Sequence, residues 1–438
     1  MEVLHAIGTN LVSERKHLLA AIYANPEEDT PRLAFADWLD EQGGEDDASR
    51  AGLIRAQIAL DPLPRYHPNW LPAAHEILRR WGSKLDEWRL ELPRIPGVSW
   101  GQFRRGFVDS VNVSSAKNLV QKGGRIAAAI PLLGISLTDR NEFMALGRSP
   151  VFSRIRRLQI AHGRSFTGAN TRELLGLPNF PPLTHLDLSM ELVANDGAAA
   201  IAACPHLAAL TELQLSENHI SDPGYAALAQ SPHLSNLRAL HIDRQYPVSS
   251  AGVRALAESP NLVGLRELNL GYCGGLDGAR ALATSKFLTK LEDFTVGDSV
   301  VESLEAIANS PNFAGLIRLR ITARGAKAVA ESPHMRNLQE LWLIQNTTDE
   351  GAEALANSPH LANLRRLNLS GNILSDKGAK ALAESPYLGG LCEGWLFLDT
   401  TSFLTKDGVS ALLNRFCNHP AHMPTPGGFP SLPENVRF

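Results

Sequence analysis

The stretch "ALAESPNLVGLRELNLGYC", residues 255–273, decides how this chain is read. It returns with substitutions: "ALAQSPHLSNLRALHI" at 227–242 precedes it and "ALANSPHLANLRRLNLSGN" at 354–372 follows it. Aligned on the first leucine of L-x-x-L-x-L, units begin at Leu132, Ile155, Leu183, Leu210, Leu237, Leu265, Leu291, Leu316, Leu338, Leu364 and Leu391. The usual spacing is about 26 to 28 residues, a period that belongs to stacked repeats rather than to a closed domain. Within each unit, L-x-x-L-x-L alternates apolar and polar residues as a half-buried strand does. A later segment, such as "DKGAKALAESP" at 376–386, predicts a helix. Asp376 stands at its start, and Ala379, Leu382 and Ala383 share one face. Pro386 ends it by pushing Ser385 out of helical geometry.

A unit of strand, turn, helix and return cannot bury both of its leucine faces alone. Stacking neighbours buries them in one continuous core. The strands then form a parallel sheet, and the wider helices behind it force curvature, leaving the sheet concave and the helices convex. Asn218, Cys273, Asn346 and Asn372 follow the strands, where a polar side chain can bond the turn backbone of adjacent units. Gln245, Ser299 and Arg324 occupy that place elsewhere, which reads as an incomplete ladder. Over roughly residues 130–415 the pattern resembles the ribonuclease-inhibitor-like subclass of leucine-rich repeats. The resemblance implies an α/β right-handed leucine-rich-repeat solenoid and a scaffold that binds proteins through varied surface residues.

The first third differs in composition. "ERKHLLAAIYANPEEDTPRLAFADWLDEQGGEDDASRAGLIRAQIAL", residues 14–60, reads as about three short helices, with Thr30-Pro31 opening one and Gly43 or Gly44 closing it. The words "DTPRLAFADWLDEQG" and "LIRAQ" resemble the bacterial repeat-companion domain, a short helical module found in front of such repeats. Gly52 stands where that family usually has Glu. "WGQFRRGFVDSVNV", 100–113, resembles the junction in the same proteins, and Phe107–Val113 is expected as a first capping strand. Asp37, Asp40 and Glu41 lie near Arg32, Arg50 and Arg55 in sequence and predict salt bridges around a small core. The expected organisation is a helical companion domain at 14–62, a linker and cap at 63–106, the solenoid at 107–417, and a Pro/Gly-rich, extended tail from 418 to 438.

Composition narrows the function. A hydrophobic fraction of 44% supports a large core, and a net charge of −4 gives no global attraction to nucleic acid or an anionic membrane. No apolar run reaches the roughly 18 residues of a membrane span, and the N-terminus lacks a signal-peptide pattern. Cys204, Cys273, Cys392 and Cys417 are far apart, which predicts reduced thiols in a cytoplasmic protein. There is no phosphate-binding glycine loop, GxSxG or HExxH. His206, His233, His334 and His360 recur at one repeat position, as turn packing would require. Cys417, His419 and His422 lack an evident fourth ligand. The expectation is a non-enzyme without metal or cofactor.

The outward strand positions are more informative. Arg318, Arg320, Trp342 and Ile344 alternate with buried leucines and should face the concavity, with Glu267 and Asp293 at the rim and His241 further along. Arg and Trp dominate interface energetics. The units from Leu291 and Leu316 are short, about 25 and about 22 residues, so an irregularity is expected at the same place. The sequence thus predicts a monomeric scaffold taking a protein or peptide on this face. An inhibitor or regulator of an intracellular enzyme, of nuclease or GTPase type, would use the same surface.

Overall fold

The computed structural model describes residues 2–139, 142–160, 163–245, 248–297, 301–321, 325–344, 347–392, 395–398 and 403–416. Ser299, Arg324, Asn346 and the tail with Cys417, His419 and His422 lie outside these residues. The described chain forms two compact units, residues up to 160 with 176–185, and 163–175 with 186–416.

The first unit opens with helices α1 (Glu2–Ala24), α2 (Thr30–Gln42), α3 (Glu45–Leu60) and α4 (Trp70–Leu90). Pro31 sits in the first turn of α2, where its missing N–H costs nothing, and Gly43 closes the helix at φ 73°. Glu45, Asp46 and Asp47 fill the first turn of α3, complementing the positive end of its dipole. Ile22, Phe35, Ala36, Leu39, Ala51, Ile54 and Phe107 form the helical core. Gly52 is explained by α4: a Cβ there would lie 3.0 Å from Trp81 Cζ2, so a glutamate would press on the indole.

The charges expected around this core separate. Arg55 pairs with Asp37 and Asp40 at 2.6 and 2.8 Å on the surface. Arg32 is fully buried and donates instead to the carbonyls of Arg105 (3.2 Å) and Pro26 (2.9 Å). Burial, with Arg105 beside it, pushes the Arg32 pKa down to about 10.

The strands of this unit are β1 (Val98–Trp100), β2 (Phe103–Arg104), β3 (Phe107–Val108), β4 (Ser110–Val113), β5 (Gly134–Leu137) and β6 (Arg157–Ile160). β4, β5 and β6 are parallel, β1 runs antiparallel on β4, and β2–β3 is a separate hairpin. The single strand expected over Phe107–Val113 is therefore broken. Asp109 breaks it: its buried carboxylate receives Arg157 at 2.6 Å, and its carbonyl takes the N–H groups of Leu133 and Gly134.

The second unit carries β7 (His185–Asp187), β8 (Glu212–Gln214), β9 (Ala239–His241), β10 (Glu267–Tyr272), β11 (Asp293–Gly297), β12 (Arg318–Ile321), β13 (Glu340–Leu343), β14 (Arg366–Asn368) and β15 (Trp395–Phe397), in that spatial order. From β8 onward neighbouring strands are parallel. Leu240, Leu268, Phe294, Leu319, Leu341, Leu367 and Leu396 are aligned partners across the ladder. A helix follows most strands, for example Asp222–Gln230, Val301–Ala308 and Asp376–Glu384.

The recurring Ser-Pro has a specific task. Ser332 Oγ donates to the carbonyl of Ala308, at the helix end of the preceding unit, at 2.6 Å, and accepts the N–H of His334 at 3.1 Å. Ser231, Ser259, Ser285, Ser310, Ser358 and Ser385 make the same backward bond to Ala202, Ala229, Ala257, Ala283, Ala330 and Ala356. Each satisfies a helix-terminal carbonyl that has no partner within its own helix. A second bond runs forward. Asp349, at the start of one helix, accepts from the N–H groups of Ser375 (2.9 Å) and Gly378 (3.1 Å) in the next unit. Asp222 does the same for Ser249 and Gly252.

The polar ladder behind the strands is fuller than expected. Gln245 Oε1 accepts from Asn218 and Ile220 N–H, and its Nε2 donates to Leu215 carbonyl at 2.6 Å. Glu191 similarly accepts from Ser165 and Phe166 N–H at 2.9 Å. A side chain one methylene longer thus does the work of Asn218, which donates to Leu188 and Leu215 carbonyls. The register irregularity lies between β10 and β11, at Gly271 with φ 66°, one unit before the short ones. The short unit after β12 is absorbed by a six-residue helix, Ala326–Glu331, while β11, β12 and β13 keep an unbroken register.

Candidate partner-binding face of the sheet

The side chains opposite the leucines form two rows. One holds Ala239, Glu267, Asp293, Arg318, Glu340 and Arg366; the other holds His241, Asn269, Thr295, Arg320, Trp342 and Asn368. Strand alternation sets the rows, and the parallel register brings residues about one repeat apart into contact.

Asp293 is the centre. Its Oδ2 accepts from Arg318 Nη2 and, at 3.2 Å, from Arg320 Nη2. It is 1% exposed, not at the rim, because Arg318 from the next strand covers it. Burial alone would raise its pKa, but Arg318 and then Arg320 outweigh that and hold it below the usual carboxylate range. Arg318 lies 3.9 Å from Glu267, which in turn meets His241 Nε2 at 3.1 Å. Burial disfavours a charged His241, yet its hydrogen bond to Glu267 prevails and the pKa is raised.

On the other side, the Arg320 guanidinium lies 5.7 Å from the Trp342 ring centroid. Trp342 Nε1 donates to Glu340 Oε1 at 2.7 Å, and Glu340 Oε2 is 3.1 Å from Arg366 Nη1. Burial lowers the Arg366 pKa, with Glu340 opposing it.

His241, Glu267, Arg318, Asp293, Arg320 and Trp342 are therefore linked in one ionic and aromatic network across β9 to β13. Ile344 is not part of it: it follows the end of β13, half-buried, its N–H donating to Ile321 carbonyl at 2.9 Å. Sequence reading gave Glu340 an outward strand position but left it, with Arg366, out of the binding set. The available signal was their place, just before the second leucine of each unit, in the same row as Asp293 and Arg318. Among the described residues, Asn269 Oδ1, Asp293 Oδ1, Thr295 Oγ1 and Arg320 Nε on this face are buried without a hydrogen-bond partner.

The described residues contain no group of three His, Cys, Asp or Glu that could hold a metal ion. Cys273 is fully buried in the strand-end ladder position, and Cys204 stands where sibling units have the bridging serine. Among the described residues, no helix is long and apolar enough to cross a membrane.

Periodic leucine strands, helix-backed units and the bonded seams between them define a leucine-rich-repeat solenoid, a fold consistent with a protein-interaction scaffold. Residues 206–229 and 360–383 match the Leucine Rich repeat family. No curated protein matches the sequence. Among solved structures, the chain is similar to a chain of the yeast Rad7 and Elc1 complex, with 16% identity over 84% of this chain and 92% of that one, at a TM-score of 0.47. It is also similar to the internalin inlF of Listeria monocytogenes, with 16% identity over 59% of this chain and 78% of that one, at a TM-score of 0.33.

Proposed function

We propose that this protein is a non-enzymatic scaffold that takes a protein or peptide on the sheet face around Arg318, Arg320 and Trp342. In this reading residues 14–62 are a repeat-companion module, and the repeats belong to the ribonuclease-inhibitor-like subclass. The observation that carries the proposal is the network on this face, in which Arg318 and Arg320 converge on Asp293 and the Arg320 guanidinium lies 5.7 Å from the Trp342 ring. Guanidiniums offer planar N–H donors that match the carbonyl and carboxylate acceptors of a protein or peptide, and Arg318 and Arg320 are half-buried on this face. Trp342 adds an aromatic surface beside them, half-exposed and held in place by Glu340.

The test is a pull-down with the full chain, followed by affinity measurement on the captured partner. Trp342→Ala should weaken binding by about 2 kcal/mol, roughly 30-fold, and Arg320→Glu by at least as much. Lys380→Glu, on an exposed helix position, is the control. Binding that survives both face variants, in proteins shown to be folded by thermal denaturation, but fails with the control would place the site elsewhere.

A further inference from the structure

The first unit contains a cavity of about 190 Å³ that the proposed function does not use. Leu39 and Phe35 of α2, Tyr23 of α1, Trp88 of α4, and Phe103 and Phe107 of the β2–β3 hairpin line it. Two arginines, Arg15 and Arg50, also border it. Arg50 of α3 places its guanidinium 5.1 Å from the Trp88 ring, 5.8 Å from Phe103 and 5.7 Å from Phe107.

Its neighbours show how unusual that is. The nearby buried guanidiniums of Arg32 and Arg105 spend their donors on carbonyls of Pro26, Glu27 and Arg105. For Arg50, the nearest ionic partner among the described residues is Glu91 at 3.7 Å, outside hydrogen-bonding distance, and the glutamate side chain is 60% exposed. Burial lowers the Arg50 pKa, with Glu91 opposing, so the charge is held at a cost. A guanidinium carries five N–H donors in a planar fork that matches a carboxylate.

We propose that this cavity binds a small monocarboxylate with an apolar body, its carboxylate on Arg50 and its body against the aromatic walls. Size sets the first limit. Cavities of roughly 150 Å³ admit a benzene ring, so about 190 Å³ accepts one ring or short branched chain plus a carboxylate. Charge sets the second. A neutral ligand leaves the Arg50 guanidinium without a close anionic partner, since Glu91 stands at 3.7 Å. Polyanions are disfavoured because Asp46, Asp47 and Glu91 also border the cavity. Asp46 is already engaged by Lys84 Nζ at 3.0 Å and Trp88 Nε1 at 3.1 Å, so it stays in place; the exposed Glu91 is free to turn outward.

Calorimetric titration of the full chain with phenylacetate, phenylacetamide and inorganic phosphate tests this directly. Phenylacetate should bind saturably at one site. The amide, equal in shape but uncharged, should bind at least about 10-fold more weakly, as should phosphate. Arg50→Met should lose phenylacetate binding by a similar factor. Because that variant could also disturb the core, the acid–amide comparison on the unaltered protein decides independently. No saturable phenylacetate binding up to about 10 mM, equal binding of acid and amide, phosphate binding as tight as phenylacetate, or undiminished binding by a folded Arg50→Met protein would each overturn the assignment.

Discussion

Replacing Ser332 with alanine tests the seam between units most sharply. The hydroxyl is fully buried and makes two bonds, donating to the Ala308 carbonyl and accepting from the His334 N–H. Alanine removes both without filling or emptying much volume. The carbonyl ends the helix Val301–Ala308 and would be left buried, at a cost of about 1 to 3 kcal/mol. The His334 N–H loses a cap worth about 0.5 to 2 kcal/mol, part of which water recovers because that turn is half-buried. The sum is about 2 to 3 kcal/mol. Repeat arrays couple units through their interfaces and need not unfold in one step, so the readout should be local. Native-state amide hydrogen exchange over 301–308 and 333–335 should accelerate by roughly 30- to 150-fold at the amides that exchange by opening this seam. Ser235→Ala, at an exposed position, is the control. Exchange in Ser332→Ala within about twofold of that control would refute the claim that the hydroxyl bridge holds adjacent units together.

Glycine substitutions should divide by site. Gly378→Ala places a Cβ 2.5 Å from Asp349 Oδ1 and should cost about 2 to 4 kcal/mol in urea denaturation. Gly82→Ala, in the interior of α4 with open space around its Cβ, should instead stabilise by about 0.5 to 1 kcal/mol. His241, followed by its imidazole resonances, should titrate above the ordinary value of about 6.5, and Glu267→Gln should bring it down. Since the folded pKa is the higher one, the stabilisation from protonated His241 is complete below about pH 6.5 and is lost as pH rises through the raised value. An unfolding free energy that instead rises with pH through that window, by an amount abolished in His241→Gln, would contradict this sign.

The leucine core was legible because period and burial are properties of a single unit: each expected first residue, from Leu132 and Ile155 to Leu391, is at most 1% exposed. What escaped were properties of pairs of units. Ser332 reads as a residue displaced by proline until the Ala308 carbonyl of the preceding unit is placed beside it. The Asp-x-Gly that opens the helices at Asp222, Asp349 and Asp376 shows its meaning when Asp349 and Gly378 are set beside each other as neighbours. Gln245 reads as a gap in an asparagine ladder, although its extra methylene lets it span the same groups. For the candidate face, alternation is enough to put Arg318, Arg320 and Trp342 opposite the leucines, whereas the burial of Asp293 depends on lateral register. That register cannot be counted along the chain, since unit lengths vary and Gly271 introduces a slip between β10 and β11.

Where both kinds of bond share a seam they point in opposite directions: Ser385 reaches back to the helix end at Ala356, and Asp349 reaches forward to Ser375 at the start of the next helix. A unit bearing both presents its successor with the same connector that it accepts from its predecessor. Such a connector is indifferent to how many units are joined. Loss or duplication of a whole unit between seams of this kind re-forms the junction it disturbs, whereas loss of half a unit strands an aspartate, a serine and a helix-end carbonyl together. The length of this protein's face is therefore free to change in whole steps, each one strand wide, or about 4.8 Å.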